Sequence, residues 1–437
     1  MGMEQPVVPP FDLGTGALHP DPYIMETGKV DLGVYCSDER FEAEKEIFGR
    51  VWLNVAETSE IPKPGDWITR EVVVRSTSII LVRGKGDQIR AFHNVCSHRG
   101  MKLAWDAKGR GGKFSCPYHA WTFDSVGNLL NIPDEGCFKH VDKTESGLTP
   151  IRCDTWEGLI FVNLDAQGTQ SLGDYLGPLK KRLSKLPFGS YPYTARVGSL
   201  IDANWKLAIE AQCEAYHVRA LHSRTVSKML SSTDNPFVHP LDVEYLGAHR
   251  MNSVPRNPDF QLSSERLVQA FSFMNAAQMT VADTGAQDKP EQTFAGHPDI
   301  NRTGSNLWGN DQYILYPHFI FHVSMGGWWL HRFWPLAPNK CYWEAVYHFE
   351  RPMSLRSQMA VQYSLALNRD TLMEDNLALV QQQQVLLSGA KQASSSASRK
   401  RCAGISPRSP RRQSTTCVRW LSPRNNVSLK TPINLWC

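Results

Sequence analysis

From Trp52 to about Leu164 the hydrophobic positions fall into short β-rich runs broken by turn residues. Trp67–Val74, Ser78–Arg83, Ile89–His93, Lys113–Ser115 and Leu159–Asn163 are β-rich runs bounded by turn signals, so an all-β region is predicted there. The pattern changes on either side. Residues 37–50 read as a short helix, with Ser37 as N-cap and Gly49 as a stop; Arg40 stands where a capping box would want an acid. After the β region come a helical stretch at Leu172–Leu186, a strand-like segment around Thr194–Ile201 and a long helix from about Asn204. Residues 250–306 are polar, irregular and rich in Pro, Gly, Asn and Ser, and are expected to form mobile loops over an active site. Residues 312–350 contain three aromatic-polar runs that predict an antiparallel meander, and 355–387 predict one long helix. Residues 1–35, rich in Pro and Gly, are expected to wrap over another surface.

With 437 residues, 41% of them hydrophobic and 21% charged, the chain is long enough for two or three domains of a globular protein. No apolar run is long enough to cross a bilayer, and the first ten residues have neither a basic nor an apolar signal region. A cytoplasmic location without membrane contact is expected. Cys36, Cys137, Cys153, Cys213 and Cys341 are scattered and suggest no disulfide framework. The net charge of +4 comes from one end: no acid follows Asp375, and ten Lys and Arg do. Without those ten the first 375 residues stand at −6, and no basic stripe remains to suggest nucleic-acid binding.

The chemistry concentrates in two places. The first is Cys96-Ser97-His98 followed, 17 residues later, by Cys116-Pro117-Tyr118-His119. Each half pairs a thiolate with an imidazole, a donor set that binds metal. A zinc finger would group its two cysteines in one half and its two histidines in the other. The alternating order suits a two-iron cluster, one iron held by Cys96 and Cys116 and the other by His98 and His119. Structural zinc is the competing reading. Arg99-Gly100, Ala120-Trp121-Thr122-Phe123 and Gly127 suit two tight hairpin loops pinching a cluster between their tips. In these residues the chain resembles the Rieske-type non-haem iron oxygenases, with Ala120 where that family more usually has glycine.

The second place is Asn204-Trp205-Lys206 leading to Glu214-x-x-His217-x4-His222. Histidines five apart lie about 140° apart on a regular helix, so one of them must sit at a helix end for both to meet an ion. Alone this spacing is weak. The resemblance gives it weight, because the family carries acid-x-x-His-x4-His downstream of its cluster domain. It also implies a third ligand on a C-terminal helix, and Asp375 is assigned to that role with Glu374 as competitor. Two histidines and one carboxylate on one face of Fe(II) leave positions open for O2 and substrate. The resemblance implies that Glu214, where most members have Asp, bridges a cluster histidine and an iron-ligand histidine across a subunit boundary. Asn204 is carried over as a further candidate catalytic residue.

The resemblance covers about 45–390 and implies an α+β fold. An all-β Rieske [2Fe–2S] domain (48–165) precedes a mononuclear-iron catalytic domain (166–392) whose antiparallel sheet is flanked by helices, helix-grip or START-like. Residues 1–47 form an N-terminal arm and helix belonging to the catalytic domain. Residues 393–437 form a basic Ser/Arg/Pro-rich tail, disordered or the product of a frame change. The implied cofactors are one Rieske cluster and one Fe(II) per subunit, with O2 as co-substrate. No Gly-x-Gly-x-x-Gly follows a strand, so NAD(P)H electrons are expected through a separate reductase, with or without a ferredoxin. The implied assembly is a homotrimer, or one with a beta subunit. The expected reaction is mono- or dioxygenation of an aromatic or other apolar small molecule, as in aromatic hydrocarbon catabolism. Oxidative N- or O-demethylation of a quaternary ammonium or methoxy-aromatic compound is the alternative. A Rieske electron carrier without oxygenase chemistry is the rival from another class. Trp308, Tyr313, Tyr316, Phe319, Phe321, Trp328 and Trp329 could line an apolar pocket or a cation cage, though about half should be plain core at period two.

Overall fold

A computed structural model describes residues 26–261 and 294–398; the Pro/Gly-rich start, most of the 250–306 region and the tail beyond 398 lie outside the described residues. The chain forms two compact units, one built from Asp38–Lys185 with Trp334–Pro338 and the other from the remainder. It begins with β1 (Glu26–Asp31), and α1 (Asp38–Arg50) then opens the smaller unit, burying Phe41, Ile47 and Phe48.

Ten strands follow: β2 (Leu53–Glu57), β3 (Asp66–Val72), β4 (Thr77–Arg83), β5 (Ile89–His93), β6 (Lys108–Arg110), β7 (Lys113–Ser115), β8 (Thr122–Asp124), β9 (Leu129–Asn131), β10 (Pro150–Trp156) and β11 (Leu159–Asn163). They form a seven-stranded sheet, β2-β11-β10-β5-β4-β3-β6, and a three-stranded sheet, β7-β8-β9. All five strands expected from the β-rich runs are present, with ends shifted by two residues at most. One core cluster joins Ile80, Val82 and Phe92 of the larger sheet to Phe114 and Phe123 of the smaller, and it also contains Trp121, Cys96 and Cys116. The helix expected over Leu172–Leu186 is instead two, α2 (Leu172–Leu176) and α3 (Pro178–Arg182). They part at Gly177, which takes φ +53° immediately before a proline.

The larger unit continues with β12 (Tyr193–Ile201), α4 (Trp205–Gln212), α5 (Val218–Leu221), α6 (Ser227–Leu230), β13 (Asp242–Leu246), β14 (His249–Pro255), β15 (Trp308–Leu315), β16 (Phe319–Ser324), β17 (Gly327–Ala337), β18 (Lys340–Phe349), α7 (Leu355–Leu387) and β19 (Ala393–Ser398). Its sheet runs β12-β18-β17-β16-β15-β14-β13. Three expectations are corrected. The helix from Asn204 stops at Gln212, because the Glu214 carboxylate takes the amides of Tyr216 and His217. Residues 249–255 form a strand rather than a loop; their period of two was hidden because polar residues occupy both faces. The first run of the meander splits at the cis Tyr316–Pro317 bond, giving four strands from 308 to 349.

The long helix α7 appears over the expected span. Ser354 Oγ caps it by accepting the Ser357 amide (3.1 Å). Ala360 and Val361 pack against Trp329, Ala345, Tyr347 and Phe349 of the sheet. Further along, Asp375, Leu379 and Gln383 are buried at i, i+4 spacing, which puts the Asp375 carboxylate on the inner side of the helix. Gln383 Oε1 accepts the Asn204 amide (2.8 Å) and so ties α7 to the start of α4. Strand β19 lies beyond the tail boundary drawn at residue 393 and pairs antiparallel with β1. Among the described residues no helix is long and apolar enough to cross a membrane.

Candidate metal centres

Cys96 and Cys116 begin two loops of identical hydrogen bonding. The Cys96 amide donates to the Met101 carbonyl (2.8 Å) and the Gly100 amide to the Cys96 carbonyl (3.0 Å). Likewise the Cys116 amide donates to Trp121 (2.8 Å) and the Ala120 amide to Cys116 (2.9 Å). The fifth residue of each loop is left-handed, Gly100 at φ +71° and Ala120 at φ +55°. Both thiols are buried in the core cluster. The His98 and His119 rings lie 4.7 Å apart, and Trp121 stacks on His98 (4.8 Å, interplanar angle 5°) with Phe138 edge-on.

These four side chains fit a sulfur-nitrogen cluster. Burial, with Cys116 alongside, pushes the Cys96 thiol up, and burial next to His119 and Arg99 pushes His98 down. A cation bound there would reverse the first effect and reinforce the second, since ligands must be thiolate and neutral imidazole. Nδ1 of His98 is buried with no hydrogen-bond partner, as a metal-directed nitrogen would be.

The second centre lies in the larger unit. His217 is the residue before α5 and His222 the residue after it, so both histidines flank a single helical turn instead of sharing a helix face. Their Nε2 atoms are 3.2 Å apart, and Asp375 Oδ1 lies 3.2 Å from that of His222 and 3.6 Å from that of His217. Among the described residues this is the group of His, Cys, Asp and Glu whose ligand atoms all fall within 4.8 Å of one another. Asp375 is 2% exposed, and its Oδ1 has no hydrogen-bond partner. An orphaned carboxylate oxygen between two imidazole nitrogens fits a hard-to-borderline cation such as Fe(II).

Each of the three side chains has its own orienting partner. His217 Nδ1 donates to Glu214 Oε1 (2.6 Å). His222 Nδ1 donates to Glu374 Oε2 (2.8 Å), which also accepts from Thr225 Oγ1 (2.6 Å). Gln212 Nε2 donates to Asp375 Oδ2 (3.1 Å). The outer atom of each group is thereby occupied, and Nε2, Nε2 and Oδ1 are turned toward one point. Burial alone would lower the His222 pKa, but the Asp375 and Glu374 carboxylates outweigh it and hold it above the usual value.

The sequence-assigned residues fall as follows. Cys96, His98, Cys116 and His119 come together in one unit; His217, His222 and Asp375 converge in the other, with Glu214 against His217 and Glu374 behind His222. The Asn204 side chain caps α4 by accepting the Lys206 amide (2.9 Å). Gln212 and Thr225 escaped sequence reasoning, since neither residue type advertises an orienting role. Four of the aromatic candidates lie on the sheet face opposite Gln312: Tyr313 stacks on Phe321 (4.9 Å), and Phe319, Phe321 and Trp328 join Phe188 and Phe294 in a plain apolar core. Trp329 faces α7.

A model of the ring-hydroxylating alpha subunit catalytic domain matches residues 185–404, and a model of the Rieske [2Fe–2S] domain matches 51–145. The fold and the two centres are those of Rieske non-haem iron oxygenases. This chain belongs to the ring-hydroxylating alpha-subunit family. The carnitine monooxygenase oxygenase subunit of Acinetobacter baumannii is 35% identical over 191 residues, 43% of this chain and 51% of that one. The biphenyl 2,3-dioxygenase alpha subunit of Rhodococcus jostii is 36% identical over 198 residues, 44% of this chain and 42% of that one. The chain thus spans about half the length of the curated relatives it matches. A solved quaternary ammonium Rieske monooxygenase superposes with TM-score 0.66 at 22% identity, covering 84% of this chain and 87% of that one. Naphthalene 1,2-dioxygenase from Rhodococcus gives 0.65 at 23% identity, covering 82% of each.

Proposed function

We propose that the protein is a terminal oxygenase. It would use O2 and two electrons from NAD(P)H, delivered by a separate reductase, to oxidise a small organic molecule. Cys96, His98, Cys116 and His119 would hold the [2Fe–2S] cluster, and His217, His222 and Asp375 the mononuclear Fe(II). When bound, the cluster supplies single electrons and the iron supplies an O2-binding centre. In a dioxygenation both oxygen atoms enter the product and NAD(P)H is oxidised. In a monooxygenation or demethylation one atom enters and the other leaves as water.

The observation that carries this reading is the convergence of two imidazole nitrogens and one unpaired carboxylate oxygen, each fixed from behind. An electron carrier needs no such group. Glu214 and Glu374 keep the protons of His217 and His222 on Nδ1, and Gln212 keeps Asp375 turned inward. We assign Glu214 as the link to a cluster histidine of a neighbouring subunit. Exposed rings beside each centre, Tyr118 next to His119 and Tyr216 next to His217, suit a head-to-tail contact. That assembly would be a trimer. Demethylation is the second reading, supported by relatives named as carnitine and glycine betaine monooxygenases.

Iron analysis of the purified protein tests the proposal. Three irons per chain, with O2 and NAD(P)H consumed only when reductase and substrate are present, would support it. Two irons per chain would favour the carrier, and zinc in place of iron would end both.

A further inference from the structure

The face of the large sheet that carries Gln312 holds a polar row that ligand orientation leaves unused. Asn252, Gln312, His322 and Trp329 stand in register on the successive strands β14 to β17. Gln312 and His322 are 2% and 7% exposed. A backbone carbonyl fixes the direction of the row: Gln312 Nε2 donates to the carbonyl of Gln212. Its Oε1 therefore faces the other way, where Asn252 Nδ2 donates to it (3.3 Å). Asn252 Oδ1 is left as an acceptor, buried and without a partner among the described residues.

His322 repeats the pattern. Its Nδ1 donates to Asn310 Oδ1 (3.3 Å), so Nε2 carries the lone pair, and that atom too is buried without a partner. Burial, with His331 nearby, pushes the ring's pKa well down. Stacking on Trp329 (4.4 Å, 8°) holds its plane. A buried acceptor left unpaired costs about 1–3 kcal/mol, and two along one row call for a donor that the described residues do not supply. The row also abuts the second centre. Gln212, whose carbonyl anchors Gln312, holds Asp375 with its side chain.

We propose that the Asn252–Gln312–His322 row reads the substrate, accepting hydrogen bonds from a hydroxyl or amino group that the substrate carries. This rests on the oxygenase reading and narrows its substrate class. A bare hydrocarbon would leave both acceptors unpaired, and a quaternary ammonium ion has no N–H to offer them. Specificity built this way rejects the analogue that lacks the donor, because the protein's own polar groups then pay the desolvation.

The test uses the iron-loaded protein and a matched pair of probes: indole, and indene, in which a CH2 replaces the N–H. Tetramethylammonium serves as a donor-free cation. Binding is read by equilibrium dialysis and iron by metal analysis on the same samples. Indole is expected to bind about tenfold more tightly than indene, the worth of one net hydrogen bond. His322→Leu and Asn252→Leu should each reduce that preference and together abolish it, while His322→Gln, which keeps an acceptor, should retain part of it. Unchanged iron content shows that the variants fold. Equal binding of the pair, binding of neither, tighter binding of tetramethylammonium, or a preference that survives both substitutions overturns the proposal. Three irons per chain with any of those results sinks the row alone; a count other than three sinks the oxygenase reading beneath it.

Discussion

Glu374 and Asp375 are neighbours on α7, yet they address opposite nitrogens of one imidazole. Oε2 of Glu374 lies 2.8 Å from Nδ1 of His222, and Oδ1 of Asp375 lies 3.2 Å from its Nε2. Consecutive helical residues project about 100° apart, so the pair straddles the ring instead of competing for one ion. The two acids should therefore fail differently. Asp375→Asn removes the anionic donor, and mononuclear iron should be lost while the cluster absorbance persists. Glu374→Gln leaves the donors in place but releases His222 to change tautomer, and iron affinity should fall about 10- to 100-fold. Iron titration of the two variants separates them; equal loss in both would make Glu374 a ligand.

Glu214 is held by three contacts: Oε1 to His217 Nδ1, and Oε2 to the amides of Tyr216 and His217. Glu214→Gln keeps the size and one acceptor oxygen but removes the charge. Iron affinity should fall about 10- to 100-fold, as in Glu374→Gln, and at saturating iron substrate oxidation should still collapse, which single-turnover measurements with pre-reduced, iron-replete protein would show directly. Retained turnover would remove Glu214 from the electron path.

Much of this was legible in the sequence because the decisive residues are chemically rare. Alternating thiolate-imidazole pairs have few uses, and Cys96 through His119 stood out on type and order; His217, His222 and Asp375 were reached only through the family resemblance, because two histidines five apart and a lone acid are common. The five β-domain strands were readable as short apolar, β-branched and aromatic runs between turn residues, and α7 from its length without a glycine or proline. What escaped depends on one side chain overriding a local trend. Glu214 ends α4 early by taking two amides, Pro317 divides one aromatic run into two strands, and Gly177 splits a helix. The Asn252–His322 row was invisible for another reason: strand register, which sets who stands beside whom, is not written in any one strand.

The two cluster loops share one hydrogen-bond plan and differ at one residue. A Cβ on Gly100 would meet nothing within 4 Å, so the cost of Gly100→Ala is the backbone's alone. At φ +71° that cost is about 1 kcal/mol. Ala120→Gly should recover little, because relief of the left-handed alanine is offset by about 0.4–1 kcal/mol of added freedom in the unfolded chain. The same freedom, removed from the unfolded chain, offsets the left-handed strain of Gly100→Ala, so thermal loss of cluster absorbance should stay near the wild-type midpoint in both variants. A midpoint lowered by many degrees in Gly100→Ala would mean that the loop needs glycine for more than its backbone angle.

Glu344 gives the larger unit a pH dependence of known sign. Its carboxylate is almost buried. Burial acts to raise its pKa, but Arg332 (Nη1 to Oε2, 2.7 Å) and Arg196 on the other oxygen outweigh that and bring it down to about 2, from 4.5. A carboxylate with a lowered folded-state pKa contributes stability above its unfolded value and loses it as pH falls through the folded one. The contribution is about 3 kcal/mol at neutral pH, fully present above pH 4.5 and gone near pH 2. Glu344→Gln should then be destabilised by that order at pH 7, with Arg332 left buried beside a neutral amide. Urea unfolding at a series of pH values should show the gap between variant and wild type closing between pH 4.5 and 2. A gap that stays constant over that range would mean that Glu344 acts through packing and not through its charge.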